Sequence, residues 1–169
     1  MIYKKTFTNR NNNYIVINMN KHEDPMDFFK AKCRVNHLRI TPQRTAIYKA
    51  LQDDGSHPSA DMVYQKIRTT FPNISFDTVN RTLMSFVNIG VVKIAESYNR
   101  QKRFDPYIES HHHLSCIKCG KIIDFEHKDF DELNIPPNIK NNNKVLGIRV
   151  VLECICGECR RKNKEAGDE

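Results

Sequence analysis

The chain has 169 residues, enough for one or two small domains, and its 27 Lys and Arg outweigh 20 Asp and Glu for a formal net charge of +7. No apolar run approaches the roughly 18 residues that a membrane-spanning helix needs, so no membrane partner is expected. The basic balance favours a polyanionic partner such as nucleic acid.

Residues 1–20 mix an Asn run with Lys and Arg and show no helical period, so they read as a flexible N-terminal extension. They also lack the apolar stretch of a secretory signal, and a reducing, cytoplasmic setting is expected. A first helix covers about 25–34. Thr41-Pro42 supplies an N-cap and a proline at the first helical position, with Ile47, Ala50 and Leu51 on the apolar face. Ser59 caps a third helix, and Phe71-Pro72-Asn73 ends that segment. Ser75 opens a fourth helix whose Phe76, Val79, Leu83, Phe86 and Val87 follow helical spacing. Thr78, Arg81, Thr82 and Ser85 occupy its other face, and Gly90 stops it.

Two short strands over 91–95 and 102–105, joined by a polar turn at 97–101, complete a winged helix-turn-helix plan. The polar, basic face of the fourth helix suits a DNA major groove. The second half reads as strands over 111–116, 121–126 and 144–154. A short helix over 129–134 is cut off by Pro136-Pro137, and 138–143 is a polar loop. The fold class is therefore α+β: a winged-helix domain followed by a smaller α/β domain.

Cys116-x2-Cys119 and Cys156-x2-Cys159 offer two pairs of thiolates that can close one tetrahedral shell, the geometry of structural Zn2+. Two disulfides are the alternative, and a reducing compartment disfavours them. Zinc and its four thiolates bring the working charge to about +5.

A second metal set lies close by. His111 and His113, two apart on a strand, share a face that His112 does not. Asp124 returns on the next strand, Asp105 ends the wing, and His57 sits in the loop between two helices. Imidazoles with carboxylates and no thiolate suit Fe2+ or Mn2+, with Zn2+, Ni2+ and Co2+ as competitors. A metalloenzyme using this set, or a zinc-ribbon-like interaction module, are the alternatives to a DNA-binding regulator. The first lacks a separate general base; the second leaves the capped helices without a role.

Several motifs together carry a specific resemblance. Leu38-Arg39-Ile40-Thr41-Pro42-Gln43-Arg44, His57-Pro58-Ser59-Ala60-Asp61, Phe71-Pro72-Asn73-Ile74-Ser75, Arg103-Phe104-Asp105, the histidine triplet with Cys116-x2-Cys119-Gly120-Lys121, and Cys156-Gly157-Glu158-Cys159 fall in order. The chain resembles the ferric uptake regulator (Fur) superfamily from about residue 25 to 162. The resemblance implies a dimeric, metal-dependent transcription factor that is not an enzyme. Residues 21–105 would form its winged-helix DNA-binding domain, and 106–162 its dimerisation and metal-binding domain. Residues 163–169 would be a disordered tail.

The set His57, Asp105, His111, His113 and Asp124 resembles the peroxide-sensing (PerR) branch. There a regulatory Fe2+ reacts with H2O2 and a ligand histidine is oxidised; His57 and His111 match the oxidised positions. An iron-responsive regulator without peroxide sensing is the alternative, and Asp124, where iron sensors commonly carry Glu, leans toward peroxide. The resemblance also implies a palindromic operator, with Arg39 at a minor groove. Thr78, Asn80 and Arg81 would read bases, Asn suiting adenine and Arg suiting guanine.

Three departures stand out: Asn80 where the family usually has Tyr, Gly147 and Ile148 where many relatives carry auxiliary-site histidines, and Pro136-Pro137 in the dimer-domain helix. Cys33 and Cys154 read as buried small hydrophobes or free thiols.

Overall fold

The computed structural model describes residues 2–8, 14–20, 24–95 and 101–165. These form two compact units. The first takes the described residues up to Ala95 and returns for Arg103–Ile108; the second holds residues 101–102 and the described residues from Glu109 onward.

Every main helix of the first unit begins where a side chain satisfies an orphan N–H. Asp24 accepts from the Met26 N–H at 2.8 Å to open α1 (Pro25–Val35), and Thr41 from Arg44 at 3.2 Å to open α2 (Pro42–Gln52). Ser59 accepts from Met62 at 3.3 Å at α3 (Ala60–Ile67), and Ser75 from Thr78 at 3.1 Å at α4 (Phe76–Asn88). Gly90 turns the chain out of α4 at φ +69°, a left-handed conformation that glycine adopts without a Cβ clash.

The buried faces meet in an aromatic knot. Phe29 of α1 stacks on Tyr48 of α2 at 4.4 Å, and Phe86 of α4 meets them edge-on at 5.3 and 6.0 Å. Leu51, Val79 and Leu83 fill in around it with no exposed surface, each contributing about 1.5–3 kcal/mol by burial. Two expectations for α4 change. Thr82 is buried, whereas Phe76, in the first turn, is exposed and meets Tyr64 edge-on at 5.9 Å.

The wing is β3 (Lys93–Ala95) paired antiparallel with β4 (Arg103–Asp105), in the register Lys93↔Asp105. It is shorter than the expected 91–95 because Val91 and Val92 are drawn into the helical core. The expected turn at 97–101 lies outside the described residues except Gln101.

Before α1 the backbone forms a hairpin, β1 (Ile2–Thr8) pairing antiparallel with β2 (Tyr14–Asn20). The reason is local, since Ile, Tyr, Phe and Val in these stretches are strong strand formers flanking a polar Asn-rich segment.

The second unit is built on a three-stranded sheet of order β6-β5-β7. Strand β5 (His112–Cys116) runs antiparallel to β6 (Ile122–Phe125) and parallel to β7 (Val151–Cys154). The last strand is much shorter than the expected 144–154, because β5 offers only the partners His113 to Cys116. The short helix α5 (Lys128–Asp131) ends earlier than expected, and the expected polar loop at 138–143 is largely helical as α6 (Pro137–Asn142). Pro137 occupies the first helical position, where its missing N–H costs nothing, and so starts α6. The last helix, α7 (Gly157–Glu165), runs on a series of straight-chain helix formers, and residues 166–169 of the expected tail lie outside the described residues.

Candidate metal centres and candidate nucleic-acid interface

Cys116 closes β5, and the chain then turns sharply: the Gly120 N–H donates to the Cys116 carbonyl, and the Cys116 N–H to the Lys121 carbonyl, both at 2.9 Å. Gly120 takes φ +70°, so the turn depends on glycine there. The second C-x2-C wraps the start of α7. The four sulfurs gather within 4.8 Å of one another, with Cys119–Cys156 at 3.7 Å and Cys116–Cys159 at 4.0 Å. A tetrahedral ion with Zn–S bonds of about 2.3 Å sets sulfurs about 3.8 Å apart, whereas a disulfide needs about 2.05 Å. The cysteines are free thiols, and the donor set fits zinc.

Local hydrogen bonding prepares this cluster for a cation. The Cys156 N–H donates to the Cys116 sulfur at 3.3 Å, and that bond pulls the Cys116 thiol down to about 6. Cys159 moves the other way, to about 12, because the Cys119 and Cys156 sulfurs crowd it. Four thiols in this space cannot all ionise without a metal to take up the charge. Across the cluster, the Lys121 ammonium meets the Glu158 carboxylate at 3.0 Å.

His111 immediately precedes strand β5 and His113 lies on it; their Nε2 atoms are 2.9 Å apart, both rings buried. Asp124, register partner of His113, brings Oδ1 to 3.5 Å from His113 Nε2 and 3.7 Å from His111 Nε2. The Glu109 carbonyl lies 3.0 Å from His111 Nδ1, which therefore donates and leaves Nε2 with the lone pair. Two imidazole nitrogens and a carboxylate within 4.8 Å are a three-point set for one divalent ion.

His112 points elsewhere, as strand alternation requires. Its Nδ1 accepts from the Val150 N–H at 3.2 Å and its Nε2 faces Asp131 at 3.5 Å, against Phe125 and Phe130. Nothing in the sequence separates it from its neighbours except parity.

In the first unit, His57 and Asp105 form a second buried pair, Nε2 to Oδ1 3.8 Å, both essentially without exposure. Asp105 Oδ1 also accepts from the Tyr107 N–H at 2.7 Å. His57 sits in the left-handed region at φ +53°, unusual for a residue with a Cβ. Sequence reasoning missed what holds it there, the neighbouring Arg103; the signal was its place in Arg103-Phe104-Asp105.

The residues expected at DNA are partly presented. Arg81 is exposed on α4 and pairs with Asp77 at 2.7 Å, one turn earlier. Asn80 is half-buried. Thr78 is half-buried too, with its hydroxyl 2.9 Å from that of Ser75. Arg39 is exposed ahead of α2, and its carbonyl accepts from Arg44 Nη1 at 2.6 Å. Among the described residues, no helix is long and apolar enough to cross a membrane.

Comparison with known proteins agrees with this arrangement. The chain is 38% identical over 132 residues to a peroxide-responsive repressor PerR of Staphylococcus epidermidis, covering 78% of this chain and 88% of the relative. A PerR of Staphylococcus aureus is 36% identical over 132 residues, covering 78% and 89%. Among solved structures, the Campylobacter jejuni peroxide stress regulator superposes with a TM-score of 0.60 at 29% identity, covering 81% of this chain and 100% of that one. The Helicobacter pylori ferric uptake regulator Fur, described as having three functional metal-binding sites, shares the fold with a TM-score of 0.64 at 23% identity, covering 84% and 97%. The ferric uptake regulator family model matches residues 35–153, and the chain belongs to that family.

Proposed function

We propose that this chain is a homodimeric, metal-dependent transcriptional repressor that binds a palindromic operator and senses hydrogen peroxide through Fe2+. The observation that carries the reading is the pairing of His111 and His113, Nε2 to Nε2 at 2.9 Å, with Asp124 facing both. Similarity to PerR repressors at 36–38% identity supports the peroxide branch. His57 and Asp105 complete the regulatory set in this reading, and the four cysteines hold structural Zn2+.

The site residues divide the work. Asp105 and Asp124 offset the charge of a divalent cation, and the imidazoles supply neutral nitrogen donors. Bound Fe2+ would supply one-electron chemistry toward H2O2, which Mn2+ does not readily offer. With Fe2+ held there, His57 or His111 would gain one oxygen atom from H2O2, the other leaving as water, and would lose its donor character. Without a cation, the negative charge of these carboxylates is no longer offset. Domain placement is then no longer biased toward DNA.

For DNA, α4 is the recognition helix, with Asn80 and Arg81 at base edges, Thr78 nearby, and Arg39 at a minor groove. Exposed Val145, Leu146, Leu152 and Ile155 in the second unit support a homodimer, since a lone subunit leaves this apolar surface in water.

The test uses duplexes enriched from a random pool by Mn2+-loaded protein. Fe2+-loaded protein should release them after about one equivalent of H2O2, and Mn2+-loaded protein should not. Release only on iron removal, with peroxide ineffective, would instead identify an iron-responsive regulator.

A further inference from the structure

Arg103 is a buried cation on wing strand β4, 8% exposed, and its guanidinium is directed at the loop that carries His57. Its Nε donates to the His57 carbonyl and its Nη2 to the Ser56 carbonyl at 2.9 Å. The following residue, Phe104, donates its backbone N–H to the Pro58 carbonyl at 3.0 Å, and Ser59 forms an isolated bridge with Arg103. Two successive strand residues thus hold four successive loop residues. The next strand residue is Asp105, whose carboxylate faces His57 Nε2 at 3.8 Å.

A left-handed backbone at a residue with a Cβ carries a cost that surrounding contacts can offset. The fork of Arg103 does this, because a planar guanidinium can reach two adjacent carbonyls at once and fix their directions. A lysine ammonium, a point charge on a flexible stem, cannot reproduce that fork. An apolar side chain could fill the same volume without the cost of burying a charge. What the guanidinium adds is direction.

We infer that Arg103 is a positioning residue of the sensory site: its fork aims the His57 imidazole at Asp105 and ties the His57 loop to wing strand β4. Metal capture by His57 and Asp105 then acts on the wing twice, through Asp105 on β4 itself and through the Arg103 side chain that grips the His57 loop. The inference rests on the reading of His57 as a ligand given above.

The test compares full-length, zinc-loaded wild type with Arg103→Met and Arg103→Lys. Two quantities are read: Mn2+ affinity, and the ratio of oxygen incorporation at His57 to that at His111 after Fe2+ loading and H2O2. Both variants should keep their zinc and bind Mn2+ about tenfold to a hundredfold more weakly, the range for losing an outer-shell partner. In both, oxidation should move from His57 toward His111, a redistribution that general loosening of the fold would not produce.

Unchanged affinity and an unchanged ratio in a folded variant would overturn the inference, and so would equal loss at both histidines. Should Arg103→Met fail to fold, Arg103→Lys carries the same test with the charge retained. If wild type is oxidised at neither histidine, the peroxide reading fails, and Mn2+ affinity alone decides the role of Arg103.

Discussion

The backbone N–H of Cys156 donates to the sulfur of Cys116 at 3.3 Å, linking the two C-x2-C turns before any ion is bound. That bond biases one thiol toward thiolate and gives the cluster a defined first ligand. The second unit also has little other core: outside the zinc cysteines, Ile122 is its one fully buried aliphatic side chain among the described residues. Zinc is therefore expected to supply much of its stability, as apparent binding energies of about 10–16 kcal/mol allow.

Cys116→Ser should lower zinc from about one ion per chain to near none. Emission spectroscopy for zinc, with circular dichroism, checks both consequences: metal loss and melting of the second unit. A folded, zinc-free variant would contradict the assignment.

His113→Ala removes one of two imidazoles whose Nε2 atoms lie 2.9 Å apart. Mn2+ affinity should fall by more than about 100-fold, beyond the loss typical of an outer-shell partner. Zinc content should not change. Isothermal titration with Mn2+ on zinc-loaded protein gives the comparison.

The first unit depends on its aromatic knot. Phe29→Ala removes the ring stacked on Tyr48 at 4.4 Å and should cost about 3–5 kcal/mol by transfer and cavity terms. Urea unfolding followed by Tyr fluorescence measures it, and a cost below about 1 kcal/mol would contradict the packing described.

High pH should destabilise the same core. Burial pushes the Cys33 thiol up to about 11 from 9.0, and the Tyr48 hydroxyl up to about 12 from 10.0. Both are raised acids, so the folded state holds its protons more tightly than the unfolded state. Their contribution is intact below pH 9 and is lost as pH rises through 9 to 12. Cys33 alone accounts for on the order of 2 kcal/mol between pH 9 and 11. In Cys33→Ala that part of the slope should vanish, which equilibrium unfolding at pH 8, 9, 10 and 11 would show.

At DNA, Arg81→Ala should weaken binding to the enriched duplex by about 1–3 kcal/mol and relax preference at one base pair. Asp77→Ala frees Arg81 from its 2.7 Å partner and removes a negative charge from the face proposed to meet DNA. It should strengthen binding to unrelated duplexes. Anisotropy titrations at two salt concentrations separate these effects.

Much of this was legible in the chain because the signals were local. Thr41, Ser59 and Ser75 each cap the expected helix, and parity alone places His111 and His113 together with His112 apart. Cysteine spacing anticipated the four-sulfur cluster. What was not legible depended on partners distant in sequence. The last strand is limited by the length of β5, Val91 and Val92 are taken by the helical core, and Thr82 is buried although hydroxyl-bearing. Pro136-Pro137 reads as a stop, but the second proline equally begins α6. The clamp of Arg103 on the His57 loop spans 46 residues, beyond any periodicity.

The most direct measurement is peptide mass spectrometry of Fe2+-loaded protein after stoichiometric H2O2, beside Mn2+-loaded protein treated alike. A gain of one oxygen atom is expected on the peptide holding His57 or His111, with iron only. Unmodified histidines in iron-loaded protein that still releases DNA when iron is withdrawn would contradict peroxide sensing.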